Sequence, residues 1–302
     1  MIKKVKNQTL IHGEAFEEME KIVDEKIRFD LILADIPYGT TACKWDSVLP
    51  FNNYILGTRT SRSRKLIPLY RDEWVIRELE STHKSIHQCR DEFDDVSKKG
   101  MWQYLNELIK PNGAMLLFGS EPFSSALRMS NIKNYKYDWV WNKKTTAGFV
   151  NAKLKPLAVY ESISVFSEGA TANGSERNMP YNPQGLQSFN KVFDKTRKNL
   201  EKQMNTVARK NADKNYLQEW TNYPKEIITF SKPNTNIHPT QKPVALIEYL
   251  IKTYTNDGDT LLDFTSGSGT TPVAAEKTGR KCTAIELDNG YFDIGVERVK
   301  TT

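Results

Sequence analysis

Two runs of consecutive apolar residues constrain the fold of this chain more than any other feature: Leu31-Ile32-Leu33-Ala34 and Ala114-Met115-Leu116-Leu117-Phe118. A strand with one wet face alternates apolar and polar residues. A strand without alternation buries both faces, the usual state of a central strand in a parallel sheet covered by helices on each side. The flanking periodicity agrees. Thr9-Leu10-Ile11-His12 predicts a strand, Gly13-Glu14 the turn after it, and Phe16, Met19, Ile22 and Val23 recur at helical spacing within 15–26. Strand, helix and strand in so short a span match a βαβ unit.

The rhythm returns twice. Trp102, Leu105, Leu108 and Ile109 share a helical face in 101–110, Pro111-Asn112-Gly113 turns the chain, and the second apolar run follows. Ser120 and Pro122 open another helix, and 137–141 and 162–166 predict two more strands. Near the C-terminus Pro243 starts a helix that turns Val244, Ile247, Leu250, Ile251 and Tyr254 inward. Asp257-Gly258 leads into a strand at 260–263, and Pro272 begins a helix that Gly279 ends. A strand at 282–285 and a helix at 291–299 complete the pattern. The expected fold class is α/β, one doubly wound domain. Two polar stretches, 52–99 and 171–232, break the rhythm and read as insertions. The chain then divides into 1–170, an inserted region 171–232, and 233–302 returning to the first domain.

Composition narrows the function classes. A mean hydropathy of -0.59, with no apolar run near 18 residues, excludes a membrane-spanning helix. Met1-Ile2-Lys3-Lys4 is followed by no apolar segment, so no secretory signal is expected. Cys43, Cys89 and Cys282 have neither CxxC spacing nor even parity and read as reduced thiols of a cytoplasmic protein, with no metal site. A net charge of +6 favours a polyanionic partner.

Residues 261–271 read as a strand, a glycine loop and a helix start. Gly267 and Gly269 let backbone approach a ligand, and the helix N-terminus offers unpaired N–H groups. The third glycine of the dinucleotide fingerprint and the Gly-Lys-Ser/Thr of a phosphate loop are both missing, so neither NAD nor ATP is favoured. A plain βα turn without a ligand is the competing reading. Glu286, ending the next strand, weighs against it, because a carboxylate there accepts both hydroxyls of a ribose. Asp263 and Glu14 add acids at strand ends. An acid-lined site with no phosphate cradle suits a cationic nucleoside, and S-adenosylmethionine is such a ligand.

Asp35-Ile36-Pro37-Tyr38 ends the most apolar strand, where ligands of open α/β sheets bind. Pro37 fixes its own φ and keeps Ile36 out of the helical region, which can aim the Ile36 carbonyl and the Asp35 carboxylate at one point. Two converging acceptors match an exocyclic amine with two N–H donors, and Tyr38 offers a face for a base to stack on. For these four residues alone, a strand ending in a Pro-Tyr turn without chemistry is equally open.

The motifs together resemble a known family. Asp35-Ile36-Pro37-Tyr38 resembles the D-P-P-Y motif of DNA amino-methyltransferases, and Asp263 to Thr271 their D-P-F-x-G-S-G-T-T cofactor loop. His238-Pro239-Thr240-Gln241-Lys242-Pro243 is similar to the H-P-T-Q-K-P element before that loop. The order, catalytic motif first and cofactor loop last, is that of the β group, a circular permutation of the usual domain. The stretches 38–45 and 139–153 are similar to phage and prophage members. Ile36 departs from the first proline of D-P-P-Y, which leaves a backbone acceptor intact, and Phe264-Thr265 replaces Pro-Phe.

The resemblance implies a Rossmann-like S-adenosylmethionine-dependent methyltransferase fold, circularly permuted, with an inserted target-recognition region. It implies Asp35, Ile36, Pro37 and Tyr38 as the catalytic set. The cofactor set is Glu14, Phe16, Lys242, Asp263, Phe264, Gly267, Ser268, Gly269, Thr270, Thr271 and Glu286. Phe16 would cover the adenine and Lys242 would lie beside the methionine portion; a core role for the first and a solvated one for the second are the alternatives. The implied activity is methylation of adenine N6 in double-stranded DNA, with the base flipped out of the helix. N4-cytosine methylation is the alternative, although those enzymes often carry Ser at the place of Asp35. A non-catalytic DNA-binding protein on a degenerate fold is the reading from another class.

Arg128, Lys133, Lys136, Lys143, Lys144, Lys153 and Lys155 have only Asp138 as an acid nearby. Lys195, Arg197 and Lys198 belong to a basic insertion interleaved with Tyr181, Phe189 and Tyr216. Of these, Lys143, Lys144, Lys195, Arg197 and Lys198 are the expected DNA-binding residues. Cys43 and Cys282 lack the Pro-Cys context of C5-cytosine enzymes and read as inert. A homodimer and a restriction endonuclease partner are compatible with the family, but no residue identifies either.

Overall fold

The computed structural model describes residues 1–37, 99–193, 216–233 and 241–302, with the backbone of three strands at 54–57, 67–68 and 93–98. The chain opens with an antiparallel pair, β1 (Ile2–Val5) and β2 (Gln8–His12). β1 lies outside the predicted elements: four mostly exposed residues carry too little apolar pattern to announce it. Helix α1 (Ala15–Asp24) follows, its N-terminus capped by the Glu14 carboxylate, which accepts the Glu17 N–H at 2.9 Å. It buries Met19 and Ile22. The first apolar run is strand β3 (Phe29–Ala34).

The stretch expected to be an irregular insertion holds a three-stranded antiparallel sheet of β4 (Tyr54–Gly57), β5 (Ile67–Pro68) and β6 (Phe93–Lys98). Strands this short give no periodic signal. Helix α2 (Met101–Leu108) buries Met101, Trp102, Tyr104, Leu105 and Leu108, and runs straight into β7 (Ile109–Gly119). The expected reversal at 111–113 is therefore absent. Asn112 takes φ 63 and the β3–β7 register shifts between Phe29 and Leu31, so the turn-forming residues make an irregularity inside a strand.

Helix α3 (Phe123–Ser130) precedes β8 (Tyr135–Ala147) and β9 (Ala158–Phe166), both longer than their apolar cores predict. After the segment carrying β10 (Gln187–Phe193) and β11 (Tyr216–Thr221), β12 (Ile227–Thr229) rejoins the large sheet beside β8. The last elements are α4 (Val244–Tyr254), β13 (Thr260–Asp263), α5 (Thr270–Lys277), β14 (Lys281–Glu286) and α6 (Asn289–Thr301). α5 starts two residues before Pro272. Proline is tolerated there because first-turn N–H groups have no partner within the helix.

The large sheet has the order β1-β2-β14-β13-β3-β7-β9-β8-β12. Neighbours from β2 to β7 are all parallel, and β9 is antiparallel to both β7 and β8. Central strands feed two cores, as the apolar runs require. Leu31, Leu33, Ala114, Leu116 and Phe118 join one cluster, whereas Ile32, Ala34, Met115 and Leu117 join the other. No helix among the described residues is long and apolar enough to cross a membrane.

The chain forms two compact units: Met1–Tyr181 with Ile227–Thr302, and Asn182–Glu226. The smaller is built on the antiparallel β10–β11 pair. Within it Phe193 stacks on Tyr216 at 5.3 Å between ring centroids and on Phe189 at 6.3 Å.

Candidate functional site

Four parallel strands end along one edge of the sheet. β2 leads to Glu14, β14 ends in Glu286, β13 ends in Asp263 and β3 delivers Asp35. β13 pairs with β3 through Leu261–Leu31 and Leu262–Ile32, so the acids that follow them leave adjacent strands despite their separation in sequence. From this junction the chain winds away in opposite directions, β3 toward β7 and β13 toward β14. Such a switch point opens a crevice at the carboxyl ends of the strands. A cavity of about 490 Å³ lies there, its polar wall including Glu14, Asp35, Lys242, Asp263, Glu286 and Asp288. That size is usual for a small-molecule or cofactor site.

One wall is organised around backbone. Glu286 accepts the Gly267 N–H at 2.7 Å through one carboxylate oxygen and the Asp288 N–H at 2.8 Å through the other. Burial pushes its pKa above the ordinary carboxylate range. Asp263 is buried and accepts the Thr265 N–H at 3.1 Å. Burial pushes its pKa up to about 7, against the hydrogen bonds from Thr271 and Thr265, while the charges of Asp35 and Glu286 add to the rise. Thr270 and Thr271 line the cavity at the start of α5.

The two loop glycines serve different ends. Gly267 takes φ 54 and hands its N–H to Glu286. Gly269 takes φ 76 and sits against α6, where an added Cβ would lie 2.7 Å from the Gly295 Cα. Gly269 thus answers to a backbone-to-backbone contact with α6. Ser268 is tied down from the same side: Arg298 donates to its carbonyl at 2.6 Å and its hydroxyl at 3.0 Å. Phe264 is buried in the core while touching the cavity. Thr265 donates its hydroxyl to the Asp35 carbonyl at 3.2 Å and so joins the glycine loop to the Asp35 turn.

The other wall is built from charges. Lys242 Nζ lies 2.5 Å from Asp35 Oδ2 and 3.3 Å from Glu161 Oε2, and 5.0 Å from the centre of the Phe118 ring. Lys143 Nζ reaches the other oxygen of Glu161 at 3.2 Å. Burial alone would lower the Lys242 pKa, but Asp35 and Glu161 reverse this and hold it above an ordinary lysine. Burial raises the Glu161 pKa, and the two lysines more than offset that. Lys242 is therefore no solvated lysine.

Three expectations need correction. Lys143, expected on a DNA-facing surface, is buried and paired with Glu161. Arg128, expected to have only Asp138 as an acid nearby, is paired with Glu121 as well. Phe16 does not line the cavity; its ring packs 5.3 Å from that of Tyr104, the core role. Lys144 is exposed. Ile36 is buried in the core and Pro37 lines the cavity. Burial pushes the Cys282 thiol well above its ordinary pKa, which agrees with an inert cysteine. Tyr38, Cys43, Cys89, Lys195, Arg197, Lys198 and His238-Pro239-Thr240 lie outside the described residues.

Glu161, Gly295 and Arg298 have no place in the motif reading, and Thr265 enters it only as a departure from the family's loop. Only Gly295 carries a signal of its own, since a glycine inside a helix weakens it by about 1 kcal/mol and needs a packing reason.

A family model described as DNA methylase (N6_N4_Mtase) matches residues 29–297. The chain is 26% identical over 295 residues to the DNA adenine methyltransferase YhdJ of Escherichia coli (strain K12), covering 97% of this chain and 82% of that one. It is 25% identical over 299 residues to the Type II methyltransferase M2.LlaDCHI of Lactococcus lactis subsp. cremoris, covering 97% and 89%. Among solved structures, the M1.HpyAVI-SAM complex superposes with a TM-score of 0.53 at 20% identity, over 96% of this chain and 99% of that chain. The PvuII DNA methyltransferase (cytosine-N4-specific) does so with a TM-score of 0.53 at 14% identity, over 98% and 87%. These structures share the fold of this chain.

Proposed function

The chain belongs to the N6/N4 DNA methylase family, and from that premise we propose that it moves a methyl group from S-adenosylmethionine to the N6 amine of a flipped adenine in double-stranded DNA. The observation that carries the reading is Asp35, whose carboxylate lines the cavity beside the glycine loop. The relative named as an adenine methyltransferase supports the choice of base.

The cavity suits this donor. Among its described lining residues Glu14, Asp35, Asp263, Glu286 and Asp288 face a single cation, Lys242, so the wall favours a sulfonium and an ammonium over a phosphate. The hydroxyl of Ser266 is buried in this wall with no hydrogen-bond partner among the described residues. Glu286 would hold the ribose hydroxyls, and Asp263 and Glu14 the rest of the nucleoside and its charge. S-adenosylmethionine, when bound, supplies an electrophilic methyl group.

The protein's own part is positioning and electrostatics. Asp35 and the Ile36 carbonyl accept the two amine N–H groups, which localises the nitrogen lone pair toward the methyl. The Asp35 charge then offsets the positive charge growing on nitrogen, which a serine hydroxyl does only weakly. Tyr38 stacks on the flipped base and returns about 1–3 kcal/mol of the few kcal/mol that flipping costs. The order of the motifs supports a place in the circularly permuted β group. Residues 1–170 and 233–302 act as two parts of one catalytic domain in a cytoplasmic enzyme.

Target recognition falls to the insertion 171–232, which carries the β10–β11 pair with exposed Phe189, Tyr216 and Trp220. Replacing Lys195, Arg197 and Lys198 together weakens DNA binding and flattens its salt dependence by up to about 0.9 per lost phosphate contact. An unchanged slope moves the recognition role to 52–99.

Nucleoside mass spectrometry of duplex DNA incubated with the enzyme and methyl-labelled S-adenosylmethionine tests the product. Label in N6-methyladenine is expected. Label in N4-methylcytosine alone overturns the adenine assignment, and no label together with no cofactor binding overturns the enzyme reading.

A further inference from the structure

The amine reading leaves Glu161 without a task, yet its carboxylate is placed with unusual care. It is held on β9 between Lys143 of β8 and Lys242, and Lys242 is held in turn by Asp35. Side-chain exposure is 7% for Lys143, 19% for Glu161, 7% for Lys242 and 24% for Asp35. The four groups alternate in sign and sum to zero charge. As a device for joining strands this is poor chemistry, since apolar residues of similar volume hold a core as well or better than buried ion pairs. The row has a direction, however, and it ends on the carboxylate that meets the amine.

We infer that Glu161 is a positioning residue for methyl transfer, acting on Asp35 through Lys242 by setting the charge of the buried row. Lys242 tethers one Asp35 oxygen, and an unshared ammonium there would drain the acceptor strength that the amine needs. Glu161 shares its charge between that cation and Lys143. With Glu161 neutral, Lys143 loses this carboxylate and Lys242 one of its two, so the row gains a positive charge beside a nitrogen that is itself turning positive. That penalty is larger in the transition state, where the positive charge has moved onto the nitrogen that Asp35 holds, than in the cofactor complex, where it sits on the donor. The inference rests on the amine-transfer reading above.

The test compares Glu161→Gln with the double variant Glu161→Gln/Lys143→Met, whose row is again neutral. Single-turnover methyl transfer, cofactor and duplex affinities, and thermal unfolding are measured for each. Glu161→Gln is expected to slow transfer by about 30-fold or more while both affinities stay within about threefold. The second substitution is expected to recover about tenfold of that rate. A residue that only packs would lose more with each change and regain nothing. A single variant at the wild-type rate, or a folded double variant slower than the single, overturns the inference. Should the single variant not fold, the double variant is compared with the wild type: transfer within about tenfold supports the charge-balance role, and a folded but inactive double variant overturns it. Wild-type protein that methylates neither adenine nor cytosine sinks the amine reading itself, so the two failures are distinguishable.

Discussion

The two walls of the cavity are made in opposite ways. The wall assigned to the cofactor comes from one continuous stretch, β13 through β14, and its acids are satisfied by backbone: Glu286 by Gly267 and Asp288, Asp263 by Thr265. The wall assigned to the acceptor amine presents Asp35 and Lys242 to the cavity, with Glu161 and Lys143 behind them, and these charges are paired with one another. A binding surface can be local, because loop amides and a strand-end acid reach a ligand together. A surface that must hold an anion beside a developing cation needs counter-charges from several strands. The walls meet at few points, one of them the Thr265 hydroxyl on the Asp35 carbonyl.

This contrast breaks first at Glu286. Glu286→Ala removes both the ribose acceptors and the anchor of the glycine loop. It is expected to weaken S-adenosylmethionine binding by about 100-fold, or about 2.7 kcal/mol, in calorimetry, while the rate at saturating cofactor changes far less. Unchanged affinity would strip this wall of its assigned role. A smaller effect separates packing from binding. Gly269→Ala places a Cβ 2.7 Å from the Gly295 Cα at φ 76, and is expected to lower unfolding free energy in urea by about 2 kcal/mol. Gly295→Ala meets the Gly269 Cα at 3.4 Å and gains helix propensity, so its net cost is expected to stay below about 1 kcal/mol. Equal costs would mean that the two backbones do not touch as described.

The third prediction concerns pH. Asp263 has its pKa raised to about 7, with burial as the main cause, so the folded chain favours its protonated form. Its contribution to stability is fully present below the ordinary aspartate range and is lost as pH rises through about 7, with a slope of up to about 1.4 kcal/mol per pH unit. A cationic ligand prefers the ionised form, so cofactor affinity rises over the same interval. Asp263→Asn is expected to flatten both dependences in urea titrations and calorimetry. A slope that survives the substitution would place the titrating group elsewhere, with Glu286 next in line.

The contrast also explains which parts of the molecule can be read from the chain. The unbroken apolar runs at 31–34 and 114–118 announce a buried parallel sheet, because burial on both faces erases the polar alternation. The glycine loop and Glu286 announce a ligand because their chemistry lies within one strand-loop-helix-strand segment. Glu161 and Lys143 announce nothing, since an ion pair across two strands leaves no local pattern. Lys242 and Asp35 are each visible as part of a motif, but their pairing is not, and Glu161 is in no motif. Gly269 is visible as a motif glycine, but its contact with Gly295 of the last helix is not. β1 and the strands within 54–98 are too short for periodicity to find.

The central claim is that the two walls divide the work, one holding the methyl donor and the other the amine. Asp35→Ala tests it most directly, with single-turnover methyl transfer and equilibrium S-adenosylmethionine binding measured on the same preparation. The expected result is a rate lower by about a thousandfold or more, with cofactor affinity within about tenfold, or 1.4 kcal/mol, of the wild type. Loss of cofactor binding in parallel with activity, in a protein that still unfolds cooperatively, would contradict the division.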